Sequence, residues 1–97
     1  MEIKRLAEFD LWFDGLKDAV TKARLTARLK KASLGNLGDI KSVGEGVWEM
    51  REFSGPGWRM YYVQRGDVII LMLGGGTKDT QCADIQRANA LLQTLED

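Results

Sequence analysis

The sequence predicts a single α+β domain, and three observations lead to that prediction. Hydrophobic residues make up 44% and charged residues 29% of the 97 residues, with one proline, a composition typical of a globular protein. Helical periodicity dominates the first third of the chain. Ten of the eleven glycines then lie between Gly35 and Gly76, where they separate short segments rich in β-branched and aromatic residues. The length fits one domain over residues 1–97.

The N-terminal segment is predicted to contain a helix, preceded by either a short strand or an irregular segment that leads into it. Ile3–Leu6 is long enough only for a short first strand. Phe9, Trp12, Phe13 and Leu16 then recur at positions i, i+3, i+4 and i+7. This spacing places all four side chains on one face of an amphipathic helix, so we expect them in the core.

A second helix is predicted from Asp18 to about Ala32. The Asp18 carboxylate can accept a hydrogen bond from the first free amides, which makes it a suitable N-cap. The apolar residues of this helix fall on two sides, and we therefore expect both sides to be covered. These sides consist of Val20, Ala23 and Ala27, and of Leu25, Leu29 and Ala32.

Basic residues are concentrated on this second helix. The chain as a whole has 14 basic and 14 acidic residues, which argues against nucleic-acid binding through overall positive charge. The segment from Lys17 to Lys31 nevertheless contains six cations and one anion. Arg24, Arg28 and Lys31 form a stripe at i, i+4 and i+7. This stripe fits either a solvated helix face or a surface that contacts phosphates.

Three strands are predicted in the middle of the chain, at Val47–Phe53, Trp58–Gln64 and Val68–Leu73. Turn residues at 54–57 and 65–67 separate them, which indicates two hairpins. The third strand is apolar without alternation, as is typical of a central strand covered on both faces. It is also the longest apolar run, and it is far too short to span a membrane. We therefore expect a cytoplasmic protein.

The run Gly74–Gly76 is predicted to be a flexible connection to Lys78. It lacks the spacing of a Walker phosphate-binding loop, which excludes that kind of nucleotide site. Asp79 or Thr80 is expected to cap a last helix. Its apolar residues repeat at helical spacing and are Ile85, Ala88, Leu92 and Leu95.

The register of the first hairpin can be predicted because a slip of one residue exchanges its faces. When the numbers of paired residues sum to 110, one face is apolar and consists of Trp48, Met50, Met60 and Tyr62. The other face then has Glu49 opposite Tyr61 and Arg51 opposite Arg59. Two opposed arginines are unfavourable without an anion between them. Either Glu49 neutralises one of them, or two guanidinium groups hold a phosphate.

The residue content excludes several kinds of catalytic site. The chain has no histidine and one cysteine, Cys82, which rules out an internal disulfide, a histidine-activated nucleophile and most zinc or haem sites. We expect Cys82 to pack against the sheet, and we expect neither metal nor cofactor. Asp84, in the first turn of the last helix, either complements the helix dipole or acts in chemistry.

Several segments, in this order and spacing, resemble the HigB-like branch of the RelE/ParE toxin superfamily, which comprises addiction-module killer proteins related to phage proteins. The segments are Gly35–Asp39, Val47–Arg51, Gly55–Tyr62 and Gly74–Gln81 continuing to Asp84-Ile85. The resemblance covers nearly the whole chain. It implies a twisted, mainly antiparallel sheet with two N-terminal helices packed on one face and a C-terminal helix.

The resemblance also implies a toxin of a type II toxin–antitoxin pair. Such toxins cut messenger RNA without a metal, usually on the ribosome, and so arrest translation. The implied partners are mRNA, the ribosome and a cognate antitoxin, expected to be a small helix-turn-helix protein encoded by a neighbouring gene. The same superfamily contains ParE toxins, which poison DNA gyrase. A toxin-like module that binds a partner without catalysis is a third alternative.

The implied site is basic. Arg59 matches the arginine of the family's Gly-Tyr-Arg motif, which contacts the scissile phosphate, and Arg51 and Lys78 match further basic positions. For attack of a ribose 2′-hydroxyl on its phosphate, Glu49 or Asp84 is the candidate base and Lys78 the candidate acid. The remaining candidates for RNA contact are Tyr61, Gln81, Arg24, Arg28 and Lys31.

Overall fold

A computed structural model describes residues 1–95, which form an α+β fold of five strands and three α-helices. None of the helices in this part of the chain is both long enough and apolar enough to cross a membrane. In chain order the elements are β1 (Glu2–Arg5), α1 (Ala7–Asp14), α2 (Ala19–Ser33), β2 (Ile40–Gly44), β3 (Val47–Glu52), β4 (Trp58–Arg65), β5 (Ile69–Thr77), a 3₁₀ turn (Lys78–Thr80) and α3 (Gln81–Leu95).

The strands form one mixed sheet in the order β1-β5-β4-β3-β2. Strand β1 runs parallel to β5, and all other neighbours are antiparallel. The pairing of β1 with β5 ends at Arg5 and Met72. Residues 73–77 of β5 therefore have β4 as their only strand neighbour among the described residues.

The predicted register of the first hairpin is confirmed. Trp48 pairs with Tyr62, and Arg51 pairs with Arg59, so every pair between β3 and β4 sums to 110. This register fixes which side chains share a face. Trp48, Met50, Met60 and Tyr62 therefore lie on one face of the sheet, and Glu49, Arg51, Arg59 and Tyr61 lie on the other.

Helices cover both faces of the sheet. Helices α1 and α2 pack on the apolar face, and the buried residues there are Phe9, Phe13, Leu25, Leu29, Ala32, Met50, Met60, Tyr62, Ile70 and Met72. Helix α3 packs on the opposite face, where the buried apolar residues are Val47, Tyr61, Val63, Leu73, Ala88 and Leu92. The two N-terminal helices thus share one face, as predicted, and α3 lies on the other.

The expectation that α2 is covered on two sides is wrong. Leu25, Leu29 and Ala32 are buried, whereas the side that contains Val20 is exposed, and Val20 itself is 60% accessible. The helix lies against a single sheet face, so only one of its two apolar stripes finds a partner within residues 1–95.

The prediction of a flexible Gly74–Gly76 connection is also wrong, because these glycines continue β5. A Cβ atom at Gly75 would overlap the Trp12 ring, and one at Gly76 would overlap the Asp84 carboxylate. Gly75 and Gly76 therefore permit close approach of α1 and α3 to the strand. Their function in the fold is packing and not mobility.

The helix starts were predicted with mixed success. Asp18 is the N-cap of α2, and its carboxylate accepts a hydrogen bond from the Val20 amide, as predicted. For the C-terminal helical segment the N-cap is Thr77, which forms a reciprocal capping box with Thr80. Asp79 and Thr80 lie inside the 3₁₀ turn. Cys82 is exposed, so the expectation that it packs against the sheet is wrong.

Candidate functional site

Seven of the residues singled out in the sequence belong to the end of the α3-covered face where β5 leads into α3. The hairpin register brings the residues of β3 and β4 together, and the 3₁₀ turn and the start of α3 carry the others across them. We refer to this group as the polar cluster. It consists of Glu49, Arg51, Arg59, Tyr61, Lys78, Gln81 and Asp84.

The floor of the polar cluster is buried. Glu49 is 1% accessible, Tyr61 is fully buried and Arg59 is 7% accessible. The Nε2 group of Gln81 donates a hydrogen bond to Glu49 Oε2 at 3.0 Å. Gln81 therefore connects the first turn of α3 to a carboxylate in the middle of the sheet.

The two opposed arginines have different partners. Arg51 Nη2 donates to Asp39 Oδ1 at 2.9 Å, and Arg59 Nη1 donates to the Gly57 carbonyl oxygen at 2.9 Å. The hydrogen bond to Asp39 also raises the pKa of the Arg51 guanidinium. Asp39, and not Glu49, is therefore the ion-pair partner of Arg51, a contact that no pattern in the sequence indicates. Because Asp39 lies before β2, only the tertiary fold brings it to β3.

Four buried polar atoms of the cluster have no hydrogen-bond partner within the protein. They are Glu49 Oε1, Arg51 Nε, Arg59 Nε and Tyr61 OH, and only two further buried side-chain atoms in residues 1–95 share this property. Buried polar groups are nearly always hydrogen-bonded, so a concentration of unsatisfied donors and acceptors needs an explanation. A ligand that brings both acceptor and donor atoms would satisfy them.

Tyr61 is held in its neutral form. Burial raises the pKa of its hydroxyl well above the usual value, and the nearby carboxylates of Glu49 and Asp84 raise it further. The hydroxyl therefore carries a proton throughout the physiological range. It is a hydrogen-bond donor that no described acceptor uses.

Glu49 and Asp84, the two carboxylates that are candidates for the base, differ in their hydrogen-bond partners. Thr80 Oγ1 donates to Asp84 Oδ2 at 2.5 Å, and Arg87 Nη1 donates to Asp84 Oδ1 at 3.0 Å. Both oxygens of Asp84 are therefore engaged within its own helical segment. Glu49 has one oxygen bound to Gln81 and one without a partner. The i,i+3 spacing of Asp84 and Arg87 is the one signal in the sequence that indicates this ion pair.

Lys78 lies at the exposed rim of the polar cluster. A Cβ atom at Gly57 would lie 3.4 Å from Lys78 Cβ and 2.8 Å from Arg59 Nη1. The turn before β4 therefore lies next to the side chains of both Lys78 and Arg59. Gly57 has a φ of 78°, in the left-handed region that favours glycine, so a larger residue would be strained there as well as crowded.

The basic residues of α2 lie away from the polar cluster. Arg24 and Lys31 are exposed on a helix that packs against the opposite face of the sheet. Arg28 donates hydrogen bonds to three backbone carbonyls, those of Leu37, Asp39 and Arg51, at 3.1, 2.8 and 2.6 Å. Its guanidinium thus ties α2 to the loop before β2 and to the end of β3.

Within residues 1–95, no group of three or more His, Cys, Asp or Glu side chains could hold a metal ion.

Comparison with known proteins gives one informative match. No protein-family model and no solved structure matches the chain. An uncharacterized protein of Haemophilus influenzae is 42% identical over 95 residues, an alignment that covers 98% of this chain and 96% of that protein. Identity of this extent over the full length of both chains establishes common ancestry. The chain belongs to the same protein family as this Haemophilus influenzae protein.

Proposed function

We propose that this protein is the toxin of a type II toxin–antitoxin pair, a metal-independent endoribonuclease that cuts mRNA on the ribosome and arrests translation. One observation carries the proposal. Arg51 and Arg59 are directly opposite each other on neighbouring strands, and each has a buried Nε without a protein partner. Two guanidinium groups with unused donors suit a phosphate, whose oxygens accept in fixed geometry.

The proposed reaction is an intramolecular transfer at the phosphate. The ribose 2′-oxygen attacks the adjacent phosphorus while its proton passes to a base, and the bond from phosphorus to the 5′-oxygen breaks. The leaving 5′-oxygen takes up a proton, so the products are a 2′,3′-cyclic phosphate and a 5′-hydroxyl. Arg51 and Arg59 stabilise the charge that builds up on the phosphorane. Loss of one such donor costs about 10²–10³-fold in rate in comparable sites.

Glu49 is the preferred general base in this proposal. Its Oε1 atom has no protein partner, whereas Thr80 and Arg87 occupy both oxygens of Asp84. A base needs a free lone pair within reach of the proton that it accepts. Asp84 then positions the start of α3 beside β5. Lys78, at the exposed rim, serves as the acid or as a further cation for the phosphate.

Substrate approaches from the rim in this scheme. Lys78 is exposed and Arg51 is partly exposed, while Glu49, Arg59 and Tyr61 lie beneath them. A phosphate between the arginines accepts their unused N–H groups, and the neutral Tyr61 hydroxyl donates to a nearby oxygen. Arg24 and Lys31 belong to no part of this site, because α2 packs on the other face.

The test of the proposed function is the order in which macromolecular synthesis stops after induction. Cells that express the protein alone are pulse-labelled with methionine and with thymidine, and purified protein is incubated with translating ribosomes to detect 2′,3′-cyclic ends on mRNA. We expect methionine incorporation to stop first. Lys30→Ala is the matched control, because Lys30 is an exposed cation on α2. Earlier loss of thymidine incorporation would replace the proposal with gyrase poisoning, and no effect of soluble protein would indicate a non-catalytic module.

A cognate antitoxin is the proposed partner. A basic site that cuts RNA must be held inactive, and acidic side chains at the rim around Lys78 would do so. We expect a tight complex with a small helix-turn-helix protein from the neighbouring gene, weakened by high salt if charge pairing dominates. Failure of the two proteins to co-purify at low salt would contradict this partnership.

A further inference from the structure

A groove of about 570 Å³ follows the edge of β5 beyond the end of β1. Trp12 of α1 and Trp58 of β4 line one side, and the first turns of the C-terminal helical segment line the other, with Asp79, Ala83 and Arg87. The floor is Gly75-Gly76, where the strand has no side chains. This volume lies within the range of about 300–1,000 Å³ that is usual for small-molecule sites.

The two tryptophans form an aromatic wall of this groove. Their ring centroids are 6.3 Å apart and their planes are inclined by 57°. Trp12 also packs edge-on against Phe9 at 5.6 Å and Phe13 at 6.3 Å, so its ring is fixed by the core. Trp58 and Trp12 are both only partly buried, which leaves aromatic surface at the groove.

The groove adjoins the polar cluster. Trp58 and Arg59 are consecutive in β4, so their side chains lie on opposite faces of the sheet, and the groove meets the polar cluster around the edge of β5. Asp84 belongs to the polar cluster and also lines the groove. The far wall contains one cation, Arg87, whose side chain is 73% exposed and is paired with Asp84. Aromatic rings beside cations are the combination that binds single-stranded nucleic acid, since bases stack on the rings and cations contact the phosphates.

We infer that this groove is a nucleobase subsite, in which one base of the RNA next to the cleaved phosphate stacks on Trp58. The inference rests on the proposed function and adds the binding site for one base of its substrate. Arg87 contacts the phosphate on the far side of that base. Stacking is tolerant of sequence because every base has a π-face.

The test measures binding without cleavage. The probe is a 2′-O-methyl tetra-adenylate, which has no 2′-hydroxyl proton and cannot be cut, together with four versions that each lack one base. We expect Trp58→Ala to weaken binding of the intact probe about 10-fold or more, as is usual for the loss of one stacking ring. Removal of one particular base should weaken binding to the parent protein by a similar factor and should have little further effect on Trp58→Ala. Trp58→Phe should retain most of the affinity.

Controls separate this inference from the proposed ribonuclease activity. Lys30→Ala should bind the probe like the parent, and thermal melts should show that the Trp58 variants are folded. Binding that depends on Trp58 in a protein that cuts no RNA would support the subsite and contradict the ribonuclease proposal. A protein that cuts RNA but in which folded Trp58→Ala binds every probe like the parent would overturn the subsite. Absence of any probe binding by the parent protein would overturn it as well.

Discussion

The two faces of the sheet are packed by different kinds of residue. The face beneath α1 and α2 is closed by aromatic and aliphatic side chains, and the rings of Phe9 and Phe13 stack there at 5.8 Å. The face beneath α3 buries Glu49, Arg59 and Asp84 beside its apolar residues. Buried charges are costly unless they are paired and hydrogen-bonded, and here they are only partly so. The first face is thus a wholly apolar core, whereas the second combines an apolar core with the polar cluster, which we propose is retained for binding and chemistry.

The largest effect on stability is expected from the apolar face. Phe9→Ala removes a fully buried ring between α1 and the sheet, and we expect a loss of about 3–5 kcal/mol in the free energy of unfolding. Urea titration monitored by circular dichroism measures it.

Tyr61→Phe tests the polar atoms of the other face, and the same urea titration measures its effect. The hydroxyl that it removes is buried without a partner, so stability should stay level or rise, because no hydrogen bond is lost. A loss of about 1 kcal/mol or more for Tyr61→Phe would show that its hydroxyl is hydrogen-bonded in the folded protein and would contradict the division between the two faces.

Two neighbouring glycines of β5, Gly74 and Gly75, allow a comparison of a packed and an open position at the edge of the sheet. Gly75→Ala forces a methyl group into the Trp12 ring, and we expect it to cost about 1–3 kcal/mol by overpacking. The control is Gly74→Ala, where a Cβ atom would meet nothing within 4 Å. That variant should be neutral or slightly more stable, because alanine restricts the unfolded chain. Thermal melts of the two variants decide it, and a Gly74→Ala variant as unstable as Gly75→Ala would show that this segment does not pack as described.

A smaller effect on the free energy of unfolding is expected from a rise in pH. Burial raises the pKa of Tyr62, on the apolar face, to about 12, whereas tyrosine in an unfolded chain ionises near 10. The folded state therefore disfavours the phenolate, so this contribution is complete below about pH 10 and is lost as the pH rises toward 12. Urea unfolding at pH 8 and 11 should show a larger loss for the parent than for Tyr62→Phe. Equal losses would mean that Tyr62 is not buried as a neutral group.

Local rules predicted the parts of the fold that depend on neighbouring residues. The register of β3 and β4 followed from keeping Met50 and Met60 on one face, and the cap at Asp18 followed from its side chain. The Gly74–Gly76 run was predicted wrongly because Gly75 and Gly76 make room for Trp12 and Asp84, which belong to α1 and α3. Patterns along the chain do not reveal such approaches.

In the candidate site, too, contacts set by the local strand pairing were predictable, and contacts between distant elements were not. The hairpin register alone brought Arg51, Arg59, Glu49 and Tyr61 together. The three carbonyl partners of Arg28 could not be predicted, because they come from the loop before β2 and from β3. A stripe of cations on a helix does not indicate which of them will form hydrogen bonds to other elements in the tertiary fold.

The central claim is that Arg59 serves the substrate and not the fold. Arg59→Met keeps the length of the side chain and removes its charge. Because Arg59 forms no ion pair within residues 1–95 and its buried Nε has no partner, its charge is costly to bury, and we expect its removal not to destabilise the fold. We measure methionine incorporation after induction and the thermal melt of the same variant. The account predicts that translation continues while the melting temperature stays level or rises. Arg59→Lys should restore little activity, because an ammonium group cannot make the two-pronged contact. Full translational arrest by folded Arg59→Met, or a collapsed melting temperature, would contradict the account.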